Sequence, residues 1–263
     1  MAMRLLILCI CLFPALLAAQ EFRLAPPKIY ADSIFFLRYA EVKMAFDLDR
    51  ADILYTTDGS IPVSGSDVYN QPFPVNTSAS IQAVSRHPDY ISSRPATLQL
   101  VKAGYVPDST RLLTQPDPTY DGRKAATLFD LQKGSRDIHD GRWLGFRKDT
   151  VTAEAGFARP VQCRQIIVST LSDPGAWIFP PRRVEVYGAA KAGKWELLGS
   201  WAPRTEMIWK NQAARYELFQ EIDLSKTEVQ RIRVVVIPYG YLPSDHPGAG
   251  NQAWLFLDEI IFQ

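Results

Sequence analysis

The sequence predicts an all-β protein made of two β-sandwiches in tandem, and three observations support this fold class. Apolar residues alternate with polar or small ones in several runs, a period of two that is typical of half-buried strands. These runs include Val42, Met44 and Phe46; Ile53 and Tyr55; Ile81 and Ala83; and Ile232, Val234 and Val236. Helical periodicity is nearly absent after residue 20, and the 19 prolines and 15 glycines fall mostly between the runs. Short strands separated by turn residues are the pattern of a sandwich.

A segment without a regular pattern divides the chain in two. Residues 102–126, KAGYVPDSTRLLTQPDPTYDGRKAA, are rich in Pro, Asp, Gly and Thr and carry no sustained period. We therefore predict a first domain over residues 20–101, a linker over residues 102–126 that forms an ordered crossover, and a second domain over residues 127–263. Both domains fall within the usual domain size of about 50–250 residues.

The N-terminal residues have the form of a secretory signal peptide. Arg4 is followed by an apolar run from Leu5 to Leu17 that ends at two small residues, Ala18 and Ala19. The run is shorter than the roughly 20 apolar residues that span a bilayer. We predict that residues 1–19 are removed, that the mature chain starts near Gln20, and that the protein is exported to the periplasm, the cell surface or the medium. The alternatives are a buried first strand or a retained anchor.

Charge and cysteine content exclude several classes of function. The chain has 29 basic and 28 acidic residues, so it lacks the basic excess of an electrostatic nucleic-acid binder. Cys163 is the one cysteine outside the signal peptide, which rules out an intramolecular disulfide in the mature chain. The strand-like run VQCRQIIVST around Cys163 indicates a core thiol and not a nucleophile.

A tight hairpin is expected at Asp58-Gly59, where the strand ending at Thr56 should turn back, because Asp-Gly readily adopts positive backbone φ. The wider segment, in ILYTTDGSIP, SDVYNQPFPV and ASIQAVSRHPDYISS, resembles the immunoglobulin-like domain near the C-terminus of chitobiases and β-hexosaminidases. The resemblance runs from Pro27 to Leu100. It implies an accessory domain that packs beside a catalytic barrel without doing chemistry. The aromatic residues of these motifs are then core or interface residues: Tyr55, Tyr69 and Phe73.

The second domain carries three ordered motifs, DGRWLGF from Asp140, WIFPP from Trp177 and WLFLDEI from Trp254. Together they resemble the discoidin (coagulation-factor type C) module, a galactose-binding-domain-like jelly roll. The nearest form is the one that follows the accessory domain in secreted bacterial hexosaminidases. The resemblance covers residues 118–263. It implies a non-catalytic β jelly roll that binds ligands in loops at one end of the sandwich.

A calcium site is the first site expected in this domain. On composition alone, the stretch TLFDLQKGSRDIHDGRWLGF is either a solvated turn or a Ca²⁺ loop, because it is rich in carboxylates and glycines but lacks EF-hand spacing. The resemblance implies a structural Ca²⁺ held by Asp130, Ser135 and Glu259, with backbone carbonyls around Leu128 and Lys133. Where the family pattern has Gly after the first Asp, this chain has Leu131.

The second site expected in this domain is a sugar site. Sugar sites in this fold combine a stacking aromatic with His, Arg or Asn side chains that form hydrogen bonds to hydroxyls. The predicted ligand-binding residues are His139, Arg142, Trp143, His246 and Asn251. Further loop residues of suitable type are Trp177, Trp209 and Asn211, while Trp177 and Trp254 are expected to be core residues.

No catalytic constellation is evident. A catalytic (β/α)₈ barrel takes about 250 residues, which two sandwiches leave no room for. Asp258 and Glu259 are adjacent on a predicted strand and should point to opposite faces, unlike the facing carboxylates of a glycosidase. The sequence therefore predicts a non-enzymatic, exported bacterial protein that binds a galactose- or N-acetylhexosamine-containing glycan, with a glycoside hydrolase as a further partner. The alternatives are a protein-interaction or scaffolding module and a ligand-free remnant of a hydrolase.

Overall fold

The computed structural model describes residues 22–190, 193–204, 213–225 and 228–263. The predicted signal peptide, Trp209 and Asn211 lie outside these residues. Within the described ranges, the structure contains no helix with the length and apolar character needed to cross a membrane.

The first module is a sandwich of two sheets. Its strands are β1 (Lys28–Ala31), β2 (Phe35–Phe36), β3 (Ala40–Ala45), β4 (Asp52–Thr56), β5 (Asp67–Val68), β6 (Phe73–Val75), β7 (Ala79–Arg86) and β8 (Ala96–Lys102). One sheet has the order β1-β3-β6 and the other β2-β8-β7-β4-β5. Neighbouring strands are antiparallel, apart from the parallel pair β2–β8.

Alternation along the strands builds the first core. In β3 the residues Ala40, Val42 and Met44 are buried while their neighbours face outward. In β7, Ile81 and Ala83 are buried on either side of the partly exposed Gln82, and burial then continues through Val84. The buried side chains of β3, together with Ile81 and Ala83, close one hydrophobic cluster between the two sheets. The predicted period of two is therefore confirmed in β3 and from Ile81 to Ala83.

The hairpin after β4 differs from the prediction. β4 ends at Thr56 as expected and pairs with β5, with Leu54 opposite Val68. The connection is a loop over residues 57–66, not a tight turn, although Gly59 has the expected positive φ of 84°. Asp58 instead accepts hydrogen bonds from the backbone N–H and the hydroxyl of Ser60, at 3.0 and 2.6 Å. These bonds turn the chain locally and let the loop widen before β5 begins.

The second module is a larger sandwich. Its strands are β9 (Ser109–Leu112), β10 (Leu144–Phe146), β11 (Val151–Gln162), β12 (Gln165–Ser172), β13 (Arg183–Ala189), β14 (Glu196–Trp201), β15 (Arg215–Asp223), β16 (Glu228–Ile237) and β17 (Leu255–Phe262). In the described part of this module, short 3₁₀ helices lie at Pro118–Tyr120, Lys124–Phe129 and Pro174–Ala176. One sheet has the antiparallel order β10-β17-β12-β15 and the other β14-β13-β16-β11-β9.

The core of this module lies between its two sheets. β16 contributes Ile232, Val234 and Val236 at alternating positions, which confirms the sequence pattern there. Cys163 is fully buried in the same cluster, as predicted, and burial raises the pKa of its thiol to about 11. β17 is buried along its whole length, because both faces of this strand are covered.

The segment predicted as a linker is ordered, and part of it packs as a component of the second module. Ser109–Leu112 form β9, which pairs with β11 as an edge strand of the second sandwich. The 3₁₀ helix Pro118–Tyr120 then leads toward β10, where Asp117 N–H donates to the Gly145 carbonyl at 2.9 Å. Part of the crossover is therefore built into the second module.

The two modules pack directly against each other. Phe35, Val101 and Ala103 of the first module share a buried cluster with Ile167 and Ile261 of the second. The Gly104 N–H donates to the Phe262 carbonyl at 2.7 Å, beside this cluster. The structure thus confirms the predicted all-β class with two sandwiches, and it places the outer face of β17 at their junction.

Candidate functional site

One end of the second sandwich carries a partly exposed group of three ring side chains and one arginine. We call it the loop-end cluster: Tyr120, His139, Arg147 and Trp254. The His139 and Tyr120 ring centroids are 5.0 Å apart, and those of Tyr120 and Trp254 are 5.3 Å apart, edge to face. The Arg147 guanidinium lies 4.3 Å from the centroid of a Trp254 ring. His139 and Arg147 are exposed, and the other two are half-buried.

Strand pairing places two members of the cluster side by side. β10 and β17 are antiparallel with Phe146 opposite Leu255, so Arg147 and Trp254 emerge together from the same end of the sheet. The Trp254 backbone is held on both sides, since its N–H donates to Trp177 and its carbonyl accepts from Phe179, at 2.9 and 3.0 Å.

Tyr120 reaches the cluster because Gly145 has no side chain. A Cβ at Gly145 would lie 2.9 Å from the Tyr120 Cβ, so a side chain at this position would clash with the tyrosine. Tyr120 also contacts Phe256 edge to face at 4.8 Å. The ring is therefore anchored on the core side while its other side faces the loops.

The loop that carries His139 is fixed by its own carboxylates. Asp137 accepts from the His139 N–H at 2.9 Å, and Asp140 accepts from the N–H groups of Ser135 and Arg142, both at 2.8 Å. Partial burial raises the pKa of Asp140, but these hydrogen bonds outweigh it and leave the pKa below its ordinary value. Asp140 is thus ionised at neutral pH and holds the loop by accepting these hydrogen bonds.

The arrangement has the chemistry of a small saccharide site. Aromatic faces can stack on the C–H face of a pyranose, while guanidinium and imidazole groups can bond its hydroxyls. Arg142, also predicted, is exposed on the same loop as His139. The structure therefore brings one predicted residue, His139, into this cluster.

Trp143, in contrast, does not offer an open stacking surface. It is 1% exposed, its indole N–H donates to the Ser135 carbonyl at 2.9 Å, and Lys133 lies 4.3 Å from a ring centroid. A Cβ at Gly134 would lie 2.2 Å from the indole, so the loop closes over Trp143 only because residue 134 is glycine. The ring is thus enclosed by its own loop, and the ligand-binding role of Trp143 stays a prediction.

His246 and Asn251 also serve the loops themselves. His246 is 5% exposed, its Nε2 lies 3.1 Å from the Pro174 carbonyl, and its Nδ1 accepts from the Gly248 N–H at 3.0 Å. Asn251 is exposed, and its side-chain amide donates to the Gly248 carbonyl at 3.0 Å. The buried imidazole of His246 thus ties the loop of residues 239–252 to Pro174, and the ligand-binding roles of His246 and Asn251 stay predictions.

Sequence reasoning missed Tyr120, Arg147 and Trp254. Tyr120 falls in the predicted linker, and Trp254 is one residue before β17, not inside an alternating core strand. Arg147 directly follows β10 and Trp254 directly precedes β17, and these two strands pair with each other. This neighbourhood is the signal that could have identified the two residues. It becomes visible only when the pairing of β10 with β17 is known.

Two of the three predicted metal ligands come together. The Glu259 side chain is buried, and its Oε2 has no hydrogen-bond partner in the described part of the chain. Burial raises the pKa of Glu259 well above its ordinary value, and the charges of Asp130 and Asp258 raise it further. Two carboxylates supply only part of the roughly six to eight oxygen ligands that Ca²⁺ takes, and the described residues contain no group of three or more His, Cys, Asp or Glu side chains that could hold a metal ion.

The backbone around these ligands fits the family pattern. Leu131 has a φ of 60°, the left-handed conformation that glycine supplies in the family pattern, and its N–H bonds to Glu259. Asp130 forms an ion pair with Arg123. Ser135, the third predicted ligand, is used in its own loop, where its hydroxyl accepts from the Asp137 N–H at 3.1 Å. The fit therefore rests on Asp130 and Glu259.

Asp258 does not follow the strict alternation expected of β17. The register shifts where Ser169 and Thr170 face Glu259 and Leu257, which leaves Asp258 as the extra residue of a bulge. Its Oδ2 accepts from Lys133 Nζ at 2.6 Å and from the Gly134 N–H at 2.9 Å. Burial raises the pKa of Asp258, and Lys133 counteracts this. Asp258 thus ties the loop to the last strand.

Fold and site together define a two-module β-sandwich protein with an aromatic cluster at one loop end. Residues 38–97 match the family model of the chitobiase/β-hexosaminidase C-terminal domain, as predicted for the first module. A comparison with curated proteins gave no match.

Similar solved structures include three that we describe here. The C-terminal domain of a chitobiase from Bacteroides fragilis is 14% identical, with a TM-score of 0.40 over 60% of this chain and 95% of that chain. A SusE-like protein is 13% identical, with a TM-score of 0.36 over 89% and 95%. A fucose binding module from Streptococcus pneumoniae is 12% identical, with a TM-score of 0.39 over 62% and 98%.

Proposed function

We propose that this is a non-enzymatic, exported accessory protein that binds a glycan at the loop-end cluster. The observation that carries the proposal is the contact of His139, Tyr120 and Trp254 at the end of the sandwich, with Arg147 over the tryptophan ring. A rigid aromatic base with an exposed imidazole and guanidinium suits a sugar ring and its hydroxyls.

The first module supports a setting in glycan breakdown. Its residues 38–97 match the chitobiase/β-hexosaminidase C-terminal domain. We propose a terminal galactose or N-acetylhexosamine as the ligand and a glycoside hydrolase as the partner. The protein would then hold its partner enzyme near the substrate.

A glycan-array screen of the mature chain from Gln20, followed by calorimetric titration of the best glycan, tests this. Arg147→Ala and His139→Ala should each weaken binding about tenfold, since a hydrogen bond to a charged group contributes about 1.5–3 kcal/mol. Arg94→Ala, which removes an exposed arginine from the first module, is the matched control and should bind like the native chain.

The outcomes are distinct because all three side chains are exposed and should not be needed for folding. Unchanged binding by both loop-end variants would refute the site. A folded protein that binds no glycan would refute the function and favour a protein-interaction module.

We further propose that Ca²⁺ binds between Asp130 and Glu259 and joins the loop to the last strand. The bound ion would supply positive charge between two carboxylates that otherwise repel each other. Its binding requires ionised Glu259, whose pKa is raised without metal, so the stabilisation by Ca²⁺ should grow as pH rises from acid to neutral.

Thermal melting with Ca²⁺ and with a chelator tests the metal. Glu259→Gln should abolish the rise in melting temperature that Ca²⁺ causes, whereas Asp137→Asn, in the same loop, should keep it. An equal melting temperature with Ca²⁺ and with chelator in the native chain would exclude a stabilising calcium ion.

A further inference from the structure

The open face of the five-stranded sheet β14-β13-β16-β11-β9 carries charged side chains in register. Arg111, Glu154 and Arg233 lie opposite one another on β9, β11 and β16. Their strand neighbours Ala153 and Val234 point into the core, so this row faces outward. It lies on a different sheet from β10 and β17, which carry the loop-end cluster.

A tryptophan organises this face. The Trp195 ring, just before β14, lies under the guanidinium groups of Arg231 and Arg233, with centroid distances of 4.5 and 4.3 Å. Glu154 accepts two hydrogen bonds from Arg233, at 2.8 and 2.5 Å. Arg233 is thus held by the Glu154 carboxylate and the Trp195 ring, which fixes the position of these three side chains beside Arg231.

A groove runs between Trp195 and the edge strand. It encloses 360 Å³ and is lined by residues 109–111, residues 154–156, Trp195 and Arg231. Its floor is open at Gly156, which lies opposite Ser109 and Arg231 in the two pairings of β11. A Cβ at Gly156 would lie 2.6 Å from the Ser109 hydroxyl, so a side chain here would close the groove.

The described lining of this face is rich in arginine. Arg111, Arg231 and Arg233 lie near Glu154, which is bonded to Arg233. Arg111 is exposed and forms no ion pair within the described part of the chain. Guanidinium groups bind carboxylate and sulfate in a two-point geometry, and an aromatic wall suits a sugar ring.

We propose that this groove binds an anionic saccharide, with its carboxylate or sulfate on Arg111 and Arg231 and its ring over Gly156 beside Trp195. The site is separate from the loop-end cluster and takes a different class of sugar. Its affinity should fall with added salt, because the Debye length is about 10 Å at 0.1 M ionic strength.

Calorimetric titration with three probes tests the proposal: oligogalacturonates for carboxylate, chondroitin sulfate oligosaccharides for sulfate, and neutral malto-oligosaccharides. One charged probe should bind and the neutral one should not. Arg111→Ala and Arg231→Ala should each weaken that binding about tenfold, while Arg231→Lys, which keeps the charge, should lose less. Arg38→Ala, an exposed arginine of the first module, removes the same charge elsewhere and should have no effect.

Three outcomes would overturn the proposal. The folded native chain could bind neither charged probe, or Arg38→Ala could weaken binding as much as Arg111→Ala, which would indicate a net-charge effect. Loss of binding in Arg147→Ala but not in Arg111→Ala would place the anion at the loop end. If Arg231→Ala does not fold, Arg111→Ala still decides, because its side chain is exposed on an edge strand.

Discussion

The buried ion pair of Lys133 and Asp258 permits a quantitative stability prediction. Asp258 is fully buried, and its Oδ2 accepts from Lys133 and from the Gly134 N–H. The Ser169 hydroxyl also contributes to lowering the pKa of Asp258, but Lys133 is the countercharge. Lys133→Met keeps the length of the side chain but removes the countercharge. Removing one partner of a buried pair costs about 3–5 kcal/mol, and the remaining N–H bond places the loss near about 3 kcal/mol.

The partner substitution should reverse most of this loss. The double variant Lys133→Met with Asp258→Leu leaves no buried charge, so its free energy of unfolding should return to within about 1 kcal/mol of the native value. Urea unfolding of the native chain, both single variants and the double variant gives the coupling energy directly.

The loss in Lys133→Met should also depend on pH. The pKa of Asp258 is already raised by burial, and losing Lys133 raises it further. Such a group destabilises the fold above the unfolded pKa of about 3.9, where it would be ionised in the unfolded chain. The loss should therefore shrink as pH falls from neutral toward about 4. A loss that is constant with pH, or a double variant no more stable than Lys133→Met, would refute the reasoning.

Two further predictions concern the cores. Cys163, with its raised pKa of about 11, should resist iodoacetamide at neutral pH in the folded protein and react fully in denaturant; rapid labelling of the folded chain would contradict its burial. Phe35→Ala should cost about 3–5 kcal/mol and uncouple the modules, because Phe35 is buried at their junction against Phe219. Scanning calorimetry should then show two transitions, and a single unshifted transition would argue against a coupling junction.

The fold was predictable because it depends on local patterns. Alternation in β3 and β16 and the density of turn residues are properties of short windows, and burial follows from them. The bulge at Asp258 was not predictable, since it is defined by the register of β17 against β12. The family match of residues 38–97 agrees with the motifs read from the sequence.

The site was predicted only in part, for a physical reason. Trp143 and His139 are four residues apart in one loop, yet one ring is enclosed and the other exposed, because Gly134 lets the loop close over Trp143. Residue type identified suitable chemistry but could not show which side of a loop each ring occupies. Tyr120 and Trp254 join His139 only through contacts between distant parts of the chain.

The position of β9 in the chain determines which segment could be transferred between proteins as an intact second module. The strand lies between the two predicted domains in the chain, yet it completes a sheet of the second module. It also supplies residues 109–111 to the groove beside Trp195. A gene fusion at residue 126 would deliver a sandwich with a bare edge at β11. A transferable second module must begin before Ser109, and one that also keeps the Gly104 bond to Phe262 must begin earlier still.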